Sequence, residues 1–119
     1  MAAVNPVELL DRHVLLFNQG VRDGDFGPML AGFTDDAEMV FQGVPAGPFR
    51  GREAIAAEYA ARPPDDEIQV LDVSAGAHRL VAGYAWRAAG GRRAGDLIIE
   101  WRGERISRLK VTFDPPTGA

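Results

Sequence analysis

From Glu67 onward the chain changes rhythm. Apolar side chains fall at every second position, Leu97, Ile99 and Trp101 in one run and Leu109, Val111 and Phe113 in the next. A period of two puts successive side chains on opposite faces of a strand, so each run has one apolar face to bury. The alternate positions hold polar residues, among them Glu100, Arg108 and Lys110. A sheet with one apolar face must be covered by other elements, and this constrains the fold more than any other feature of the sequence. The pattern predicts strands at Ile68–Ala75, His78–Ala88, Ala94–Trp101 and Arg105–Phe113, with turns at Gly90-Gly91 and Gly103-Glu104.

The cover comes from the first half of the chain. Pro6 to Val21 reads as a helix, with Asn5 as its cap, Pro6 at the first helical position and Glu8 facing the positive end of the helix dipole. Leu10, Val14, Phe17 and Val21 form its apolar stripe, with His13 at the edge. After the break at Gly24-Asp25, a short helix is expected over Phe26–Phe33 and a turn at Asp35-Asp36. Ala37–Gln42 reads as a strand with Met39 and Phe41 on one face. Gly43–Arg50 is a Pro- and Gly-rich loop, and Gly51 opens a third helix that runs to Arg62 and stops at Pro63-Pro64. Helix, helix, strand, helix and four strands make an α+β fold, with helices on one face of an antiparallel sheet. The 119 residues are expected to form one domain, 1–119, with 114–119 as a tail.

Several chemistries are excluded. The chain has no cysteine, which removes disulfides, thiolate metal sites and cysteine nucleophiles. Its two histidines, His13 and His78, are far apart, so no metal site is expected. No apolar run reaches the ~20 residues of a membrane span. No basic segment followed by an apolar one opens the chain, so a cytoplasmic location is expected. Charge is uneven: residues 1–75 carry 5 basic and 13 acidic side chains, residues 76–119 carry 8 and 4. The basic residues are not interleaved with aromatics as a stacking surface requires, so no nucleic-acid partner is expected. The asymmetry could instead help two copies pair or a charged ligand approach.

Three stretches carry a resemblance. Gly24-Asp25 is followed by Phe33-Thr-Asp-Asp-Ala37; a loop ends in Phe49-Arg-Gly-Arg-Glu-Ala-Ile-Ala56; and Trp101 to Asp114 forms a closing hairpin. In this order and spacing the chain resembles the nuclear transport factor 2-like superfamily, which includes ketosteroid isomerases, SnoaL-like cyclases, limonene-epoxide hydrolase-type enzymes and scytalone dehydratase. The resemblance implies a cone, a strongly curved sheet wrapped around the N-terminal helices with an apolar cavity and an open mouth. It also implies a homodimer, no cofactor, and a pocket lined by the first helix, the first strand, the third helix and the inner sheet face.

Isomerases of this group use an Asp base with an oxyanion hole of a Tyr and a protonated Asp. Aligned residue by residue, the tyrosine position holds Phe17 and the base position Phe41. The second acid falls on Leu97 when counted from the Trp101 hairpin and on Glu100 when counted from Gly90-Gly91; strand parity favours Leu97. Of two supporting tyrosine positions, one holds Phe33 and the other retains Tyr59. Phenylalanine neither titrates nor donates a hydrogen bond, so general base catalysis of the isomerase kind is not expected. Arg87 with Asp96 is a faint echo of the epoxide hydrolase arrangement.

The expected pocket comprises Phe17, Met39, Phe41, Tyr59, Tyr84, Trp86, Leu97, Ile99 and Trp101. Tyr84 and Trp86 share parity with Leu80 and would serve equally in a dimer contact. Candidate polar groups are Tyr59, His13 and Asp96. Each has a plainer reading: a core tyrosine bonded to backbone, a half-buried helix-edge histidine and a solvated strand-start aspartate. Asp35 and Asp36 read as turn formers, and Arg50 and Arg52 as mouth residues able to draw an anion or as plain solvated positions. The expected partner is a small apolar molecule, with cyclic ones among the candidates, on which the protein acts as a cofactor-independent isomerase, cyclase, dehydratase or hydrolase, or which it only binds. The competing reading is a non-catalytic dimerisation or protein-interaction module, for which Val81 and Ile98 are the clear apolar residues on the outer face.

Overall fold

The structure, a computed structural model, describes residues 5–114. Helix α1 spans Pro6–Asp23. The Asn5 side chain accepts hydrogen bonds from the Val7 and Glu8 amides at 3.0 and 3.4 Å. At the other end Gly24 adopts a left-handed φ of 75° and its N–H bonds the Gly20 carbonyl at 2.8 Å. The helix therefore continues through Arg22 and Asp23 to the glycine that can close it. Its buried face centres on Leu9, Leu10, His13 and Phe17, with Val14 and Val21 at the flank. His13 thus lies within the buried stripe and not at its edge.

Helix α2 is one turn, Gly27–Leu30. Strand β1 begins at Phe33 and runs to Gln42, so Phe33 opens a strand where a helix end was expected, and Asp35-Asp36 lies inside the strand where a turn was expected. Ion pairs make this placement tenable. Asp35 bonds Arg52 at 2.6 Å, and Asp36 bonds Arg102 and accepts from the Thr34 hydroxyl. Strand β2, Phe49–Arg50, pairs with β1 within the expected loop. Helix α3 spans Arg52–Ala61 and buries Ile55.

The remaining strands are β3 (Ile68–Ala75), β4 (Leu80–Trp86), β5 (Arg93–Arg102) and β6 (Arg105–Thr112). A 3₁₀ turn at Arg87–Ala89 ends the expected His78–Ala88 strand early. The sheet order is β2-β1-β6-β5-β4-β3. Every pair is antiparallel except β1 with β6, which is parallel. Register shifts at Val70/Asp72, Tyr84/Ala85 and Glu100/Trp101 mark bulges, which bend strands and raise their twist. The result is an open, curved sheet closing over α1 and α3. Leu10, Phe33, Met39, Ile55, Leu80, Ile99 and Leu109 are fully buried between the layers. Asp114, expected in the tail, is tied to the sheet: its amide bonds the Ala94 carbonyl at 2.7 Å and its carboxylate meets Arg93 at 2.8 Å. The rest of that expected tail, 115–119, lies outside the described residues. No helix among the described residues is long and apolar enough to cross a membrane.

Candidate functional site

The concave side of the sheet and the helices do not close on each other completely. Between them lies a cavity of about 180 Å³. His13 and Phe17 of α1 form one wall, and Phe41 of β1 meets them. The sheet contributes Ile68, Tyr84, Trp86, Leu97, Leu109 and Val111, followed by Phe113. Glu58, Tyr59, Arg62 and Pro64, on and just after α3, complete it. Most of this lining is carbon.

One contact fixes the geometry of that wall. The Asn18 side chain donates to the Ile68 carbonyl at 3.0 Å and accepts from the Ile68 amide at 2.9 Å. Both groups are buried, so α1 is locked to the first residue of β3 and Ile68 is held at the cavity. A second close approach fixes the opposite side. A Cβ on Gly95 would lie 1.8 Å from the Thr112 carbonyl oxygen, so only glycine lets β5 and the end of β6 meet there. The same carbonyl accepts the Tyr84 hydroxyl at 3.1 Å. Burial first, then Asp114 and Asp96, raise the Tyr84 phenol to about 12. Tyr84 therefore lines the cavity with its ring while its hydroxyl serves the backbone.

The polar groups fall into two sets. Glu58 on α3 and Arg62, the residue that caps its end, are one turn apart and form a two-bond pair, 2.6 and 3.1 Å. The Arg62 side chain is 73% exposed and that of Glu58 12%, so the pair marks the solvent end of the cavity. His13 and Tyr59 are the other set. His13 is 6% exposed and packs edge-on to Phe33, with ring centroids 5.7 Å apart. Burial lowers its pKa to about 4, so it is neutral at pH 7. Neither ring nitrogen has a hydrogen-bond partner among the described residues, and the Tyr59 hydroxyl has none either. Every side-chain nitrogen or oxygen that is fully enclosed among the described residues is hydrogen-bonded. The polar atoms of His13 and Tyr59 are therefore not walled off by protein and border the cavity they line. Burial, and secondarily Glu58, raises the Tyr59 phenol well above its ordinary range.

Of the residues expected at a pocket, Phe17, Phe41, Tyr59, Tyr84, Trp86 and Leu97 come together here. Met39 and Ile99 do not reach the cavity; they share strand parity with its lining but lie deeper, fully packed in the core. Trp101 follows the Glu100/Trp101 bulge, sits opposite Ile106 and packs at the core margin outside the cavity. Asp96 points to the outer face, where its carboxylate meets Arg93 at 2.8 Å. Arg87 pairs with Glu67 at 2.7 Å, not with Asp96. Glu100 is also outside, paired with Arg108 at 3.3 Å. Arg50 and Arg52 are taken by Glu38 and Asp35 away from the lining. Sequence reasoning missed Pro64, Ile68, Leu109, Val111 and Phe113 as lining residues, and among polar groups it missed Glu58 and Arg62. Their i,i+4 spacing beside Tyr59 was the available signal. Among the described residues no group of three or more His, Asp or Glu is placed to hold a metal ion.

A curved sheet folded over three helices around an apolar cavity defines a class of small cone-shaped domains. The family model of the SnoaL-like domain matches residues 14–109. The chain belongs to that family, and with it to the nuclear transport factor 2-like superfamily. A crystal structure of a protein from Sphaerobacter thermophilus is 26% identical, with a TM-score of 0.73 over 96% of this chain and 100% of that one. An NTF2-like protein of unknown function from Cytophaga hutchinsonii has a TM-score of 0.72 at 14% identity, covering 96% of this chain and 94% of its own. A protein of unknown function with a cystatin-like fold from Methylobium petroleophilum has a TM-score of 0.67 at 16% identity, covering 94% and 81%. The last two likenesses concern the fold alone. A comparison with curated proteins finds no match.

Proposed function

We propose that the protein binds a small apolar molecule in the cavity of its cone. The observation that carries this reading is the mostly carbon-lined space of about 180 Å³ enclosed by α1, α3 and the inner sheet face. A dry apolar cavity of about 150 Å³ is large enough to take up benzene, so the volume suits a one-ring molecule. If chemistry takes place there, its polar groups are His13, Tyr59 and the Glu58–Arg62 pair. Phe41, at the position of the isomerase base, cannot accept a proton.

The test is a titration with p-xylene followed by the methyl NMR signals of Leu97, Leu109 and Val111. Saturable shifts at these methyls, lost in a Val111→Trp variant that fills the space, are expected. Signals that stay fixed up to the solubility limit of p-xylene would remove the reading.

A second reading is self-association through the sheet. Strand β3 is an edge, and Leu71 and Val73 on it are 39% and 40% exposed. Exposed apolar edge strands invite pairing with a second copy. Sedimentation of the protein as a monomer at all concentrations tested would dismiss it.

A further inference from the structure

We propose that the cavity selects a single-ring molecule carrying one uncharged oxygen, a hydroxyl or a carbonyl, and that His13 is the group that hydrogen-bonds this oxygen. The inference rests on the pocket reading above and adds the polar part of the ligand.

The starting point is a mismatch between burial and bonding. Asn18, the other buried polar residue of α1, has both ends of its amide bonded to Ile68. Tyr84 likewise gives its hydroxyl to the Thr112 carbonyl. His13 is buried to the same degree, yet its ring has no partner among the described residues. The His13 nitrogens are not walled off by protein, so water in the cavity serves them when no ligand is bound. A ligand that displaces this water keeps its affinity only if it reproduces the hydrogen bond, which an oxygen placed against the imidazole does.

The charge of the site then restricts the ligand. His13 lies deep and neutral, so it offers one N–H donor and one acceptor nitrogen, and no charge. The charged groups of the lining, Glu58 and Arg62, are bonded to each other at the solvent end. An ionised ligand pushed inward would lose its hydration and meet no free counter-charge, which is heavily disfavoured. A neutral hydroxyl can donate to or accept from the imidazole, and a neutral carbonyl can accept from it. The volume leaves space for about one ring, and apart from the Tyr59 hydroxyl and the Glu58–Arg62 pair the rest of the lining is mostly carbon.

The test compares p-cresol and p-xylene, which are nearly equal in shape, with the larger anion 4-methylbenzoate and its neutral counterpart of matching size, 4-methylbenzamide, at pH 7. Affinities are measured by calorimetry for the wild type and for His13→Leu, with the His13 ring nitrogens of the wild type followed by ¹⁵N NMR. The ratio of p-cresol to p-xylene affinity is expected to fall about tenfold or more in His13→Leu, the size of one buried hydrogen bond together with an orphaned hydroxyl. The His13 ¹⁵N signals should move with p-cresol and stay in place with p-xylene; 4-methylbenzamide should bind and 4-methylbenzoate should show no saturable binding. An unchanged affinity ratio in the variant, still ring-nitrogen signals with p-cresol bound, uptake of 4-methylbenzoate, or exclusion of 4-methylbenzamide overturns the proposal while leaving the pocket reading intact. Failure of both p-cresol and p-xylene to bind removes both. Should His13→Leu not fold, the wild-type ¹⁵N experiment decides alone.

Discussion

Burial sets the charge of His13. In the unfolded chain its imidazole titrates near 6.5, and in the folded protein desolvation brings it to about 4. Between these values the unfolded chain binds more protons, so folding stability is unaffected by this group above pH 6.5 and declines as pH falls towards 4. The decline from pH 7 to pH 5 should be about 2 kcal/mol, approaching roughly 3 kcal/mol when the folded value is passed. Chemical denaturation at pH 7 and pH 5 checks this. The wild type should lose that stability, and His13→Gln, which carries no titrating ring, should lose markedly less. The sequence placed His13 beside the apolar stripe but not within it. Helical periodicity fixes which residues share a face; which face the sheet covers depends on elements far along the chain. The Glu58–Arg62 pair was hidden for a related reason: an i,i+4 ion pair reads as solvated surface until the cavity is seen to open beside it.

Between elements, two contacts hold the cavity walls in place. Asn18 bonds the amide and the carbonyl of Ile68 across 50 residues of sequence. Replacing it with leucine leaves both backbone groups buried and unpaired, and should cost about 2–4 kcal/mol, measured as a lower denaturant midpoint. Gly95 is required by the approach of the Thr112 carbonyl. Gly95→Ala should destabilise by about 3 kcal/mol or more, because backbone and not a flexible side chain must move; a thermal midpoint close to that of the wild type would contradict the close approach. Neither residue stood out in sequence. Asn18 reads as an ordinary polar helix position and Gly95 as a strand start, and their partners lie on other elements. The strands themselves were legible, since alternation of Leu97, Ile99, Leu109 and Val111 reports directly on a half-buried sheet. The start of β1 was not. Asp35 and Asp36 favour turns locally, and the pull that overrides this comes from Arg52 and Arg102.

At the scale of the whole molecule, the uneven charge is offset in part within one chain. Arg102 meets Asp36, Arg108 meets Glu38 and Arg87 meets Glu67, each a basic residue of the second half against an acid of the first. The bond from Arg102 holds the Asp36 carboxyl below its usual range, and bonds from Arg50 first and Arg108 second do the same for Glu38. The size of the cavity sets a further expectation. A four-ring steroid does not fit a space of about 180 Å³, so the protein should neither bind a β,γ-unsaturated ketosteroid nor convert it. A spectrophotometric isomerisation assay with a matched binding titration checks both, and turnover abolished by a pocket substitution would contradict the expectation.

By itself the sequence determined the α+β class, the four late strands, the apolar inner face and part of the set of residues that meet at the cavity. These follow from local periodicity, caps and turn residues, which act over a few positions. Tertiary structure decided what periodicity cannot reach. It set the parallel pairing of β1 with β6, the depth of Met39 and Ile99, the outward turn of Asp96, and the partnerless imidazole of His13 at the cavity. Each depends on how a curved sheet and its helices close on one another, and that closure is a sum of contacts between residues distant in the chain.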